Sequence, residues 1–103
     1  MKTSELKDLA LDWAVATANG EAVILAQENW DWYSSDWERG GPIIEREGIT
    51  IQRVTGALWD AFINNIHHAD GPTPLIAAMR CYVTSKLGDT VDIPKELTKG
   101  EKA

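Results

Sequence analysis

The chain has 103 residues, with 16 acidic and 10 basic side chains and a net charge of −6. This length suits one domain with one core, since domains cluster near roughly 100–150 residues. A single cysteine excludes a disulfide within the chain, and no apolar run approaches the roughly 20 residues that span a bilayer. With no signal peptide before the first predicted helix, we expect a cytoplasmic protein. The acidic balance argues against a duplex-DNA binder, although mimicry of DNA stays open.

The first twenty residues predict an amphipathic helix. Thr3 or Ser4 can cap its start, and Gly20 is placed to end it in the left-handed conformation. Asp8 and Asp12 fall away from the apolar stripe. That stripe, at spacings of 3, 4 and 7, is formed by Leu6, Leu9, Ala10, Trp13, Ala14 and Thr17.

A tryptophan-rich segment follows at residues 29–41, and it predicts a loop. A short apolar run at residues 21–26 precedes it and favours a buried strand, although a helix also fits. The segment itself has neither a period of 2 nor one of 3.6, and it closes with Gly40 and Gly41. Loops longer than roughly 12–15 residues in compact domains are usually functional or disordered.

The middle of the chain predicts a short helix and a hairpin. Pro42 suits the first position of a short helix that continues through residues 43–47 and that Gly48 would end. Residues 49–54 are β-branched and alternating, which favours a strand, and we pair them with residues 57–63. Residues 64–72 are expected to form a second loop.

The last helix has the clearest boundaries. Thr73 is placed as its N-cap and Pro74 as its first residue, and Gly88 ends it. Residues 91–93 suit a short edge strand, and residues 95–103 a flexible polar tail. The chain is therefore predicted to form a single α+β domain over residues 1–94, with two main helices packed on a small, mostly antiparallel sheet.

Several segments resemble the NinX family of phage proteins. They are residues 9–16, 33–37, 40–47, 71–80, 82–83 and 86–89. The resemblance implies a protein encoded by tailed phages and prophages of enteric bacteria, with an accessory role in the infected cell. It supplies no catalytic residues and no established activity.

The candidate site combines aromatic, polar and basic residues. Stacking on tryptophan contributes roughly 1–3 kcal/mol per base, an N-terminal helix end attracts phosphate, and guanidinium groups pair with oxyanions. The predicted ligand-binding residues are Trp32, Ser35, Asp36, Trp37, Gly40, Gly41, Arg46, Thr73 and Arg80. The alternatives are equally concrete: the rings can fill the core, as we expect for Trp13 and Trp59, and the arginines can form internal salt bridges.

Catalytic and metal chemistry find little support in the sequence. His67 and His68 are adjacent and point in different directions, and there is no third histidine. Cys81 is expected to be a small buried side chain. Phosphate-loop and dinucleotide fingerprints are lacking, so we expect no metal, no cofactor and no enzymatic activity.

Two functions are compatible with these residues. The preferred hypothesis is a phage accessory protein that binds a small, anionic, nucleotide-like ligand and sequesters a host-defence signal. The alternative is a protein-interaction module whose exposed tryptophans anchor it to a host or phage enzyme. In either case we expect a homo-oligomer, because association would bury tryptophan-rich surface.

Overall fold

A computed structural model describes residues 1–20 and 32–94. In this part of the chain, a short 3-10 helix at Thr3–Glu5 precedes three α-helices and one antiparallel sheet. The elements are α1 (Asp8–Ala18), α2 (Trp37–Glu47), β1 (Thr50–Thr55), β2 (Leu58–Ile63), β3 (His67–Gly71) and α3 (Pro74–Leu87). The predicted α+β class is confirmed. The strand predicted at residues 21–26 and the tail at residues 95–103 lie outside the described residues.

The sheet is a meander in the order β1-β2-β3. The predicted hairpin of β1 and β2 is confirmed, with Arg53 opposite Trp59. The prediction of a loop at residues 64–72 is wrong, because β3 pairs with β2 along this stretch. Asn64 and Asn65 connect the two strands with φ values of 53° and 58°. Two successive positive φ angles are typical of a type I′ hairpin turn, and asparagine tolerates them better than most residues.

Helix α3 packs on the sheet and forms the centre of the core. As predicted, Thr73 is its N-cap and Pro74 its first residue, and the Thr73 hydroxyl accepts a hydrogen bond from the Ile76 N–H at 3.1 Å. At the end of β3, a Cβ atom on Gly71 would lie 2.9 Å from the Ala77 nitrogen. The close contact of strand and helix therefore requires glycine. The buried residues of α3 are Leu75, Ala77, Ala78, Met79, Cys81, Tyr82 and Val83.

The first predicted helix is divided in two. Its predicted caps, Thr3 and Ser4, belong to the 3-10 helix, and α1 begins only after Lys7, whose backbone is extended. The Thr3 hydroxyl instead donates a 2.7 Å hydrogen bond to the Gly88 carbonyl at the end of α3. This long-range contact fixes the N-terminal segment and corrects the predicted helix start.

The buried surface of α1 is wider than the predicted stripe. Leu9, predicted to face the core, is 39% exposed, whereas Asp12, predicted to face solvent, is buried. The helix is covered on more than one side. Its buried residues are Ala10, Leu11, Asp12, Ala14, Val15 and Ala16.

Helix α2 begins inside the segment predicted to be a loop. Asp36 caps it by accepting a 3.0 Å hydrogen bond from the Glu38 N–H, so the helix starts at Trp37. Pro42 is therefore the sixth residue of the helix and not its first, which corrects the predicted boundary. Proline at this position lacks the N–H that would bond to the Glu38 carbonyl, but Glu38 is exposed and water can satisfy that carbonyl. The helix ends as predicted at Gly48, with φ 65°.

The segment after α3 pairs with the chain's N-terminus and does not form the predicted strand at residues 91–93. The Met1 amino group donates to the Val91 carbonyl at 3.0 Å, and the Val91 N–H donates to the Met1 carbonyl at 2.9 Å. Lys2 and Thr90 form an isolated antiparallel bridge. The pairing is too short to count as a strand, yet it joins the two ends of the described chain.

Candidate functional site

The segment at residues 32–36 and the start of α2 present two tryptophan rings to solvent. Trp32 is 67% exposed and Trp37 is 54% exposed, whereas Tyr33 and Ser34 between them are buried. Exposed rings of this size are uncommon in a small domain, because tryptophan contributes large apolar area when buried. We call Leu9, Trp32, Ser35 and Trp37 the tryptophan surface.

Trp13 and Trp59 are half-buried and pack against the core, as predicted. Trp30 lies outside the described residues. The tryptophans within the described residues therefore divide into a pair that supports the core and a pair that is exposed.

The starts of α2 and α3 meet at a cleft of about 300 Å³. A Cβ atom on Gly40 would lie 2.6 Å from Leu75 Cδ1 and 2.7 Å from the Tyr33 carbonyl oxygen, so glycine allows the two helices to approach. We call this the helix-start cleft. It is lined by Ser34, Ser35, Trp37, Thr73, Pro74, Leu75 and Ile76.

A second cavity, of about 480 Å³, lies beside Trp32, and Ser34 and Ser35 line both cavities. We call it the acidic cavity, because both of its charged lining residues within the described chain are aspartates. It is lined by Asp8, Leu9, Asp12, Trp32, Ser34 and Ser35.

Asp12 was missed in the sequence because its position on α1 suggested solvent exposure. Its Oδ1 accepts hydrogen bonds from the Ser34 N–H at 2.8 Å and from the Ser34 hydroxyl at 2.6 Å. Burial raises the pKa of the Asp12 carboxyl, while these hydrogen bonds oppose the rise. Asp12 thus fixes the tryptophan segment to α1. The sequence carries no local signal for this contact, because the two residues are 22 positions apart and meet only in the folded protein.

The predicted arginines lie elsewhere. Arg46 is at the far end of α2, nine residues or about 14 Å of helix rise from Trp37. Its guanidinium bonds to Glu47 at 2.9 Å, to the Asn19 side chain at 2.9 Å and to the Tyr82 hydroxyl at 3.1 Å. The hydrogen bond from Arg46 lowers the pKa of Glu47. Arg46 therefore joins α2 to α3 and to the end of α1.

Arg80 connects three parts of the fold through backbone carbonyls. Its Nε donates to the Leu6 carbonyl at 2.8 Å and its Nη1 to the Asp70 carbonyl at 3.0 Å. Burial lowers the pKa of this guanidinium, yet arginine stays charged at any physiological pH. Arg80 therefore bonds to backbone carbonyls, where the sequence had offered an internal salt bridge as the alternative.

The predicted site residues thus separate into two groups. Those at the tryptophan surface and the helix-start cleft come together, and they are Trp32, Ser35, Asp36, Trp37, Gly40 and Thr73. Gly41 lies in α2 with open space where a Cβ atom would lie, and Arg46 and Arg80 are engaged elsewhere. The Gly40 N–H bonds to the Asp36 carbonyl at 2.9 Å, so it is already used within the helix.

The histidines and the cysteine take part in the sheet and its contact with α3. His68 stacks on Phe62 with ring centroids 5.0 Å apart, and its Nε2 lies 3.3 Å from Asp60. Cys81 is buried, which raises the pKa of its thiol to about 11. Within residues 1–20 and 32–94, no group of three or more His, Cys, Asp or Glu residues could hold a metal ion. In the same ranges, no helix is both long and apolar enough to cross a membrane.

The fold and this surface define a small α+β protein that holds two exposed tryptophans beside cavities at its helix starts. The sequence model of the family described as Bacteriophage P22, NinX matches residues 2–86. The chain belongs to this family, as its motifs predicted, and it is a phage accessory protein. The family is not known as a family of enzymes. A comparison with curated proteins finds no match.

Proposed function

We propose that this phage accessory protein acts in the host cytoplasm by binding a protein partner through the tryptophan surface, without catalysing a reaction. The observation that supports this most strongly is the exposure of Trp32 and Trp37 on one short segment. Interface residues that dominate binding energy are enriched in tryptophan, and large exposed apolar patches often mark interaction sites.

The segment that carries the rings is held in place before any partner arrives. Ser34 is bonded to Asp12 through both its N–H and its hydroxyl, and Asp36 caps α2. Tyr33, between the two rings, is buried. A preorganised segment loses less conformational entropy on binding, so more of the contact energy is available for affinity.

The charges near this surface favour a partner with basic side chains. Asp8 and Asp12 line the acidic cavity, and at the start of α2 two acids, Asp36 and Glu38, stand beside one base, Arg39. The chain as a whole carries a net charge of −6. Complementary charge accelerates encounter and disfavours acidic partners.

The test is a matched set of variants in a capture experiment from infected cells. Trp32→Ala and Trp37→Ala should each release a partner that the wild-type protein retains. Ile66→Ala is the control, because Ile66 is 76% exposed and lies in the β2–β3 turn. The retained polypeptide, once purified, should shift the tryptophan emission of the wild-type protein to the blue. Equal retention by all three variants would contradict the proposal.

A second candidate is the small, anionic, nucleotide-like ligand, placed in the helix-start cleft. Trp37 and Leu75 supply the first N–H groups of α2 and α3, and both residues line this cleft. Such groups have no partner within their own helix and attract anions, and the exposed ring of Trp37 offers a stacking surface. Sequestration of a host-defence signal would follow from tight binding there.

Heating protein purified from infected cells, with mass spectrometry of the released molecules, separates the two candidates. A released nucleotide that Trp37→Ala fails to capture would favour the small ligand. Arg46→Ala should not alter capture if the ligand occupies the helix-start cleft, because Arg46 lies at the other end of α2.

Light scattering of the free protein tests the expected homo-oligomer. A dimer that Trp32→Ala dissociates would mean that a second copy occupies the surface.

A further inference from the structure

We draw no further inference here: the strongest candidate, the groove of about 260 Å³ between the outer edge of β3 and the paired ends of the described chain, lined among others by Lys2, His68 and Thr84, carries no proposal because nothing in the described part of the structure shows what covers it.

Discussion

The contact between Asp12 and Ser34 offers the sharpest test of how this protein holds its tryptophan surface. Replacing Asp12 with alanine removes the acceptor of two hydrogen bonds and leaves the buried Ser34 N–H without its partner. An unsatisfied buried donor costs about 1–3 kcal/mol, and the serine hydroxyl loses a charged acceptor as well. We therefore expect Asp12→Ala to lower the free energy of unfolding by about 2–4 kcal/mol.

Replacing Asp12 with asparagine separates the hydrogen bonds from the charge. The side-chain carbonyl of asparagine can accept both bonds from Ser34, and the variant buries no charge. At pH 7 we expect Asp12→Asn to stay within about 1 kcal/mol of the wild-type protein, because weaker hydrogen bonds are offset by the removed desolvation cost.

The raised pKa of Asp12 determines how its contribution to the free energy of unfolding changes with pH. Burial raises the pKa of Asp12 in the folded protein above its ordinary value of 3.8. The folded state then binds this proton more tightly than the unfolded chain does. The contribution of Asp12 to stability is greatest below pH 3.8 and is lost as the pH rises through the raised pKa. In Asp12→Asn that contribution disappears, while the titration of all other groups is retained.

Urea unfolding between pH 4 and pH 7, followed by circular dichroism and tryptophan emission, measures all three proteins. The wild-type minus Asp12→Asn difference in the free energy of unfolding should decrease as the pH rises. If Asp12→Ala proves as stable as the wild-type protein, or if Asp12→Asn loses as much stability as Asp12→Ala, the assigned role of these hydrogen bonds is wrong.

Three further predictions follow from the packing. Gly40→Ala should destabilise the protein by about 1–3 kcal/mol, because its Cβ would meet a backbone oxygen, whereas Gly41→Ala should stabilise it by about 0.5–1 kcal/mol, because its Cβ meets open space. Urea unfolding of both variants measures this contrast, and equal effects would contradict it. Arg80→Met should lower the free energy of unfolding by about 2–4 kcal/mol by leaving two carbonyls without donors, whereas a change below about 0.5 kcal/mol would mean that water replaces them. Cys81 should react with iodoacetamide at pH 8 about a hundredfold more slowly in the folded protein than in urea, since burial raises the pKa of its thiol to about 11. Equal rates in the two states would show that the thiol is accessible in the folded protein.

Local signals predicted α3 and the first hairpin well. Thr73 and Pro74 are the N-cap and the first residue of α3, and Gly88 follows its end. The strands β1 and β2 have β-branched and aromatic residues on either side of Gly56. In these elements, residue preference and tertiary packing favour the same structure.

Helix α2 and strand β3 were misjudged because local preference and tertiary packing disagree there. Two glycines and a proline disfavour a helix at residues 40–42, yet Gly40 is needed for contact with Leu75. Strand β3 has the sequence His-His-Ala-Asp-Gly, which has little preference for a strand, and it forms because β2 and α3 lie against it. The Asn64–Asn65 pair was the available signal for this hairpin.

The sequence alone determined the α+β class, the family and the residues from which a binding surface could be built, because these depend on composition, motifs and short-range pattern. Tertiary structure decided which of those residues meet. It brings Asp12 to Ser34 across 22 positions and engages Arg46 and Arg80 in contacts that join separate elements. Such pairings depend on how helices and strands pack in three dimensions. The distances between residues that are far apart along the chain cannot be read from their spacing in the sequence.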